Sequence, residues 1–172
     1  MGQNETNCFE KRDNRKKDKR PSMSNRILVD ADACPVKEEI YKVAYRTNTP
    51  VVLVSNSYLR LPEHPLITQI VVSDGFDAAD DHIAQMATDK DVVITSDILL
   101  AERVLKSEAI TLAPNGKPFT ANSIGNAVAT RAIMADLRAG GDQVGGAAPF
   151  SKADRSCFLQ ALDKALVKLR AR

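Results

Sequence analysis

The sequence has few of the residues that build disulfide frameworks, cysteine-rich metal clusters or aromatic cores. It contains no Trp, 5% aromatic residues, two His and three Cys. Cys8, Cys34 and Cys157 lie far apart and form no C-x-x-C pair, which argues against a disulfide scaffold or a Cys-rich zinc site and favours a reducing cytoplasm. The core must therefore be built mainly from Val, Ile, Leu and Ala, which suits a buried sheet flanked by helices.

Long apolar runs are also absent. No stretch approaches the roughly 18 consecutive apolar residues that a membrane-spanning helix needs. The first 26 residues contain no apolar segment after their charges, so a secretory signal is not expected either. We therefore predict a cytoplasmic protein without a membrane partner.

The net charge of +2 conceals an uneven distribution. Residues 1–22 carry seven Lys/Arg and four Asp/Glu, and they lack the apolar residues needed to offset the entropy of ordering. We predict a disordered basic tail there and one α/β domain over residues 23–172. Because that domain is nearly neutral, capture of nucleic acid by its whole surface is disfavoured, although the tail could add phosphate contacts.

From Ile27 onward, β-branched runs alternate with helical patterns. The predicted strands cover residues 27–29, 50–54, 67–72, 92–94 and 109–112. The predicted helices cover residues 35–45, 77–88, 97–106, 120–138 and 151–169. Such alternation is typical of parallel strands joined by crossover helices. We predict a three-layer α/β fold with a central parallel sheet in the order 3-2-1-4-5 and a helical C-terminal part.

Acidic residues cluster near the ends of the first and fourth predicted strands. Two follow the first strand, one follows the fourth, and two lie in the helix between them: Asp30, Asp32, Asp97, Asp80 and Asp81. If the two strands are neighbours, carboxylates meet beyond the carboxyl ends of the strands, where open parallel sheets bind ligands. Converging carboxylates repel one another, and a hard cation relieves the repulsion. The pattern predicts a Mg²⁺ or Mn²⁺ site.

Several of these residues also have a purely structural interpretation. Asp32, Asp77 and Asp97 each precede a predicted helix and could serve as N-caps. Asp30 is different, because an acid at the last position of a buried central strand is costly without a partner. Cys34 stands at a predicted helix N-terminus, where either a reactive thiol or a small buried residue fits.

The segments that carry the acids resemble a known family. Residues 27–37, 77–84 and 95–97 are similar to the YaiI/YqxD family of uncharacterised bacterial proteins. The similarity continues through residues 123–126, Arg131 and residues 154–158. That family looks like a branch of the PIN-like nuclease superfamily, whose members hold Mg²⁺ or Mn²⁺ with acids at these strand ends. The resemblance therefore implies a PIN-like fold for this chain.

The same resemblance implies metal-assisted hydrolysis of a phosphodiester in RNA or DNA. Asp30, Asp97 and Asp81 are the expected catalytic acids, and Asp32 and Asp80 complete the expected metal ligands. The expected substrate-binding residues are Ser96, Asn126, Arg131 and Arg155. For the two arginines, a surface ion pair is the alternative to a grip on the substrate backbone.

Two other functions fit the same residues. Asp30-Ala31-Asp32 after an apolar strand also resembles the nucleophile and acid of haloacid-dehalogenase-like phosphatases, with Ser55 at the place of their second motif. Such an enzyme would form an aspartyl-phosphate on Asp30. Alternatively, the acids bind metal or cap helices in a non-catalytic module that contacts RNA or protein.

Overall fold

The computed structural model describes residues 25–32, 34–72, 75, 77–139 and 150–172, excluding the side chains of residues 131–139. Within these ranges the strands are β1 (Arg26–Asp30), β2 (Val51–Ser55), β3 (Ile67–Val71), β4 (Asp91–Ile94) and β5 (Ile110–Leu112). The helices are α1 (Lys37–Thr47), α2 (Ala78–Met86), α3 (Ile98–Leu105), α4 (Ala121–Ala139) and α5 (Lys152–Arg170). The predicted tail over residues 1–22 lies outside the described residues.

The strands form one parallel sheet in the order β3-β2-β1-β4-β5, which confirms the predicted order. β1 is central, because Val29 pairs with Leu53 of β2 on one side and with Ile94 of β4 on the other. The carboxyl ends of β1 and β4 are therefore neighbours. Asp30, the last residue of β1, lies at the same edge of the sheet as the residues that follow β4.

The side chains of β1 alternate between two hydrophobic clusters, one on each face of the sheet. Ile27 and Val29 pack with residues of α1 and α5, whereas Leu28 packs with residues of α2 and α3. All three side chains are fully buried. Helices thus cover both faces of the sheet, as expected when crossover helices join parallel strands.

The helix α5 closes the face that α1 also covers. Its N-terminus carries the predicted capping box, in which Ser151 Oγ accepts from the Asp154 N–H at 3.2 Å and Asp154 Oδ2 accepts from the Ser151 N–H at 2.8 Å. One stripe of the helix is buried in the cluster with α1. It contains the predicted residues Phe158, Leu162, Leu166 and Leu169, and also Ala165.

Small differences from the predicted boundaries have local causes. The helix α1 begins at Lys37 rather than Pro35, because residues 35–36 form a turn. It ends at Thr47, because the next residue, Asn48, has a left-handed φ of 51°. Thr120 caps α4, since its Oγ1 accepts from the Ser123 N–H at 3.1 Å. No helix in the described ranges is both long and apolar enough to cross a membrane.

Candidate functional site

Asp30 occupies the carboxyl end of the central strand and is half-buried. Its Oδ2 accepts a hydrogen bond from Thr95 Oγ1 at 2.9 Å, and Thr95 is the buried residue directly after β4. Burial raises the pKa of the Asp30 carboxyl, and the negative charges of Asp32 and Asp97 raise it further, whereas the Thr95 hydrogen bond opposes the shift. The carboxyl group therefore lies in an environment that disfavours its charged form.

Asp97 has the capping role that the sequence offered as an alternative. Its Oδ1 accepts from the Leu99 N–H at 2.7 Å and so caps α3. Its own N–H donates to Thr95 Oγ1 at 2.9 Å. The Thr95 hydroxyl thus bonds to both Asp30 and Asp97, and it fixes one acid relative to the other. Capping uses one oxygen of Asp97 and is compatible with a second role for the carboxylate.

The two neighbouring acids of α2 point to different partners. Burial raises the pKa of Asp80 to about 6, the charges of Asp30, Asp97 and Asp77 add to the shift, and Arg103 opposes it. Asp81 instead forms an ion pair with Arg103, in which Nη2 and Oδ1 are 2.6 Å apart and both side chains are substantially exposed. Asp80, rather than Asp81, is therefore the α2 acid whose pKa is raised, first by burial and then by the charges of Asp30 and Asp97.

Asp32 and Asp77 do not cap the helices that follow them. Asp32 is exposed, and its Oδ2 accepts from the Asn56 N–H at 3.0 Å, which joins the segment after β1 to the segment after β2. Asp77 precedes α2 without a capping hydrogen bond from its side chain. The capping interpretation is thus wrong for both residues and correct for Asp97.

The expected substrate-binding residues are spread over the molecule. Ser96 is exposed between Thr95 and Asp97, so it lies at the same edge as the carboxylates. Asn126 is exposed on α4, and its side chain has no hydrogen bond to the acids within the described ranges. The side chain of Arg131 lies outside the described residues.

Arg155 is engaged in holding α5 against α1. Its Nη1 donates to Glu39 Oε2 at 2.9 Å and to the Pro35 carbonyl at 3.1 Å. Its guanidinium also lies 5.2 Å from the centre of the Phe150 ring. Glu39 is only 5% exposed, so removing its partner would leave a buried carboxylate uncompensated. These contacts match the ion-pair alternative for Arg155.

The donor chemistry of the site fits a hard cation, but the side chains do not form a ready ligand set. The carboxylates of Asp30, Asp80 and Asp97 offer only oxygen, which Mg²⁺ and Mn²⁺ prefer. In the part of the chain that the structure describes, however, no three His, Cys, Asp or Glu side chains are grouped closely enough to hold a metal ion. A cation would therefore require these side chains to move closer together.

Two competing chemistries find little support at this edge. Burial raises the pKa of the Cys34 thiol to about 11, so the thiol stays protonated and is a poor nucleophile. Ser55 is fully buried, and its hydroxyl donates to the Ser57 carbonyl at 2.8 Å and accepts from Gln69 Nε2 at 2.6 Å. Ser55 is thus occupied where a phosphatase of the haloacid-dehalogenase type needs a free hydroxyl.

Thr95 is the residue of this site that sequence reasoning missed, because the sequence alone marks it only as part of the segment 95–97. A signal was present, because a polar residue directly after a buried strand needs a partner, as Asp30 does. Together, fold and site define a parallel α/β protein that gathers acids at the carboxyl edge of its sheet.

This chain matches the model of one known protein family. The model of the family described as "Uncharacterized BCR, YaiI/YqxD family" matches residues 28–168, so the chain belongs to that family. A UPF0178 protein of Sphingopyxis alaskensis is 69% identical over 145 residues, which is 84% of this chain and 94% of that protein. A UPF0178 protein of a Jannaschia species is 60% identical over 146 residues, again covering 84% and 94% of the two chains. No solved structure matches this chain.

Proposed function

We propose that the chain is a divalent-metal-dependent phosphodiesterase acting on RNA or DNA, with Mg²⁺ or Mn²⁺ bound between Asp30, Asp80 and Asp97. The supporting observation is that Thr95 bonds to both Asp30 and Asp97 at one edge of the sheet, and that the charges of these two acids add to the raised pKa of Asp80 on α2. Arg103 offsets part of their repulsion at Asp80. A dication would relieve the remainder, and this gain can drive the side-chain movement that binding requires.

The resemblance to PIN-like nucleases supports the same proposal, because those proteins hold their cation with acids at equivalent strand ends. Asp80 takes the place of the mid-chain acid in this proposal, since Asp81 pairs with Arg103. Asp32 is exposed nearby and is assigned an outer position, where its charge adds to the attraction for a cation.

When bound, the cation supplies a water of lowered pKa and neutralises charge on the transition state. The residues of the chain have separate tasks around it. Thr95 donates to Asp30 and accepts from the Asp97 N–H, so it holds the two acids in position. The exposed Ser96 hydroxyl is assigned to a phosphate oxygen of the substrate.

Thermal unfolding in EDTA and in Mn²⁺ or Mg²⁺ tests the binding half of the proposal. At a cation concentration ten times Kd, mass action stabilises the fold by about 1.4 kcal/mol, equivalent to a rise of about 4 °C in Tm. We expect this rise in the wild-type protein and its loss in Asp30→Asn and Asp80→Asn. Asp163→Asn is the matched control, because it removes an exposed carboxylate on α5 and should keep the rise.

Cleavage of labelled RNA and DNA strands in Mn²⁺ or Mg²⁺ tests the catalytic half. We expect hydrolysis by the wild-type protein and by Asp163→Asn, and none by Asp30→Asn. A cation-induced rise in Tm without hydrolysis of either polymer would instead favour the non-catalytic binding module. Trapping of an aspartyl-phosphate mimic by beryllium fluoride would favour the phosphatase.

A further inference from the structure

A cleft of about 490 Å³ opens between α1 and the loop that joins β2 to β3. The helix contributes Lys37, Glu38 and Tyr41, and the loop contributes residues 59–62. The volume lies within the roughly 300–1,000 Å³ that small-molecule sites occupy. None of the functional roles assigned above uses this cleft.

The loop that forms the outer wall is held in one conformation by Gln69 of β3. Gln69 Oε1 accepts from the Leu59 N–H at 3.2 Å, and Nε2 donates to the Ser57 carbonyl at 2.9 Å. Leu59 and Leu61 pack against the core, whereas Tyr58 and Arg60 are exposed. Arg60 lines the cleft, and Tyr58, which is 85% exposed, flanks it as the residue directly before the lining residue Leu59.

Two hydrogen bonds place the cleft beside the acidic edge. Lys37 Nζ donates to the Ala31 carbonyl at 2.7 Å, and Ala31 directly follows Asp30. The N–H of Asn56, where the loop begins, donates to Asp32 Oδ2 at 3.0 Å. Both walls of the cleft are therefore connected to the segment that follows β1 at the carboxyl edge of the sheet.

The groups that line or flank the cleft are complementary to an aromatic anion. Lys37 and Arg60 are cationic, and Arg60 has no ion pair with the described residues. Tyr41 and Tyr58 offer aromatic faces, and burial raises the pKa of Tyr41 to about 12, so its phenol remains a neutral hydrogen-bond donor. A guanidinium recognises phosphate oxygens, and tyrosine rings stack with any base.

We propose that this cleft binds a nucleotide, with the base against Tyr58 or Tyr41 and the phosphate on Arg60 and Lys37. As part of the proposed phosphodiesterase, and resting on that function, the cleft holds one nucleotide of the strand at the same edge of the sheet as the acids. Glu38 is the one acid among the lining residues, and its charge opposes the phosphate. Removing the charge of Glu38 should therefore strengthen binding, whereas removing the cationic or aromatic side chains should weaken it.

Binding is best measured by fluorescence anisotropy of a labelled single-stranded octanucleotide in EDTA, where no hydrolysis occurs. We expect Arg60→Ala and Tyr58→Ala each to weaken binding about ten-fold, and Arg60→Ala to lower the salt slope by about 1. Glu38→Gln should tighten binding. Arg46→Ala is the matched control, because Arg46 is an exposed arginine on α1 that pairs with Asp163. Both altered loop side chains are exposed, and an unchanged Tm verifies that the variants fold.

Competition with an unlabelled mononucleotide identifies the source of the nucleotide. Displacement by the mononucleotide at similar concentration indicates a site for free nucleotides, whereas a need for the oligonucleotide indicates one unit of a strand. Wild-type affinity in both Arg60→Ala and Tyr58→Ala, or no binding by the wild-type protein, overturns the proposal.

The two proposals fail in different ways. If metal-dependent hydrolysis continues unchanged in Arg60→Ala and Tyr58→Ala, the proposed role of the cleft is wrong and the proposed phosphodiesterase activity is retained. Binding that these variants lose, in a protein that hydrolyses neither RNA nor DNA, leaves a nucleotide site and removes the phosphodiesterase.

Discussion

Both ends of the sheet contain buried or half-buried carboxylates, but the charged groups next to these carboxylates differ between the two ends. At the end where strands begin, Asp91 is 1% exposed, and Arg26 donates to it from Nε at 2.7 Å and from Nη2 at 3.2 Å. The Thr88 N–H and hydroxyl complete its hydrogen bonds at 2.8 and 2.9 Å. At the end where strands finish, Asp30 and Asp80 face other carboxylates and their pKa values rise.

Asp91 is thus neutralised by a partner within the fold, whereas Asp30 and Asp80 lie near other acids. The parallel register places Arg26 opposite Asp91, so the positive charge is built into the sheet itself. Among the residues that the structure describes, no cation stands opposite Asp30: its register partner on β2 is Val54, and the donor on the β4 side is the neutral Thr95. Uncompensated charge at a sheet edge costs stability, and such sites concentrate where ligands bind.

Removing the compensated acid should have the largest effect on stability. Asp91→Ala leaves Arg26 without its partner and removes the acceptor of two Thr88 donors. We expect a loss of about 3 kcal/mol in the free energy of unfolding, the scale for breaking a buried ion pair. Urea denaturation measures it. Asp81→Ala, which breaks an exposed ion pair, is the control and should cost less than about 1 kcal/mol.

Removing the carboxylate of Asp80 should instead raise the free energy of unfolding at neutral pH. With the pKa of Asp80 raised to about 6, the folded protein binds its proton more tightly than the unfolded chain does, so stability falls as pH rises between about 4 and 6. Asp80→Asn removes this loss. We expect the variant to equal the wild-type protein near pH 4 and to exceed it by about 1 kcal/mol at pH 7, after allowance for solvent screening.

The charged groups around Asp80 are three acids, Asp30, Asp97 and Asp77, and one cation, Arg103. Because a metal ion bound by these acids would itself change the stability, the measurement must be made in EDTA. Urea denaturation across pH 4 to 7 provides the comparison. If Asp80→Asn is less stable than the wild-type protein at pH 7, the carboxylates stabilise the fold, and the contrast between the two ends disappears.

The sequence was sufficient for the sheet order and for the edge of the sheet at which Asp30 and Asp97 meet. Short β-branched runs alternating with helical patterns leave few topologies, and parallel strands bring residues such as Asp30 and Asp97 to one edge. The capping box of α5 was also readable, because its two partners lie only three residues apart. Features that depend on neighbours in the chain, or on the period of one element, were thus predictable.

Pairings between distant elements were not predictable in the same way. Asp80 and Asp81 project about 100° apart on their helix, and only the position of Arg103 on α3 decides which one faces the other acids. Likewise, the sequence indicated no aromatic platform for nucleic acid. Tyr41 on α1 comes to face the loop residues Leu59 and Arg60 across the cleft only in the folded chain, where Gln69 of β3 accepts from the Leu59 N–H.

The smallest expected effect concerns Asp97, which both stabilises a helix by capping it and repels the neighbouring acids. Its Oδ1 caps α3, while its charge raises the pKa values of Asp30 and Asp80. Asp97→Ala loses a cap worth about 1 kcal/mol but also relieves repulsion, so we expect a net loss below about 1 kcal/mol. Asp97→Asn keeps a capping oxygen and removes the charge, and it should be at least as stable as the wild-type protein. Urea denaturation in EDTA separates the two variants. Equal losses in both would mean that the charge itself stabilises this edge.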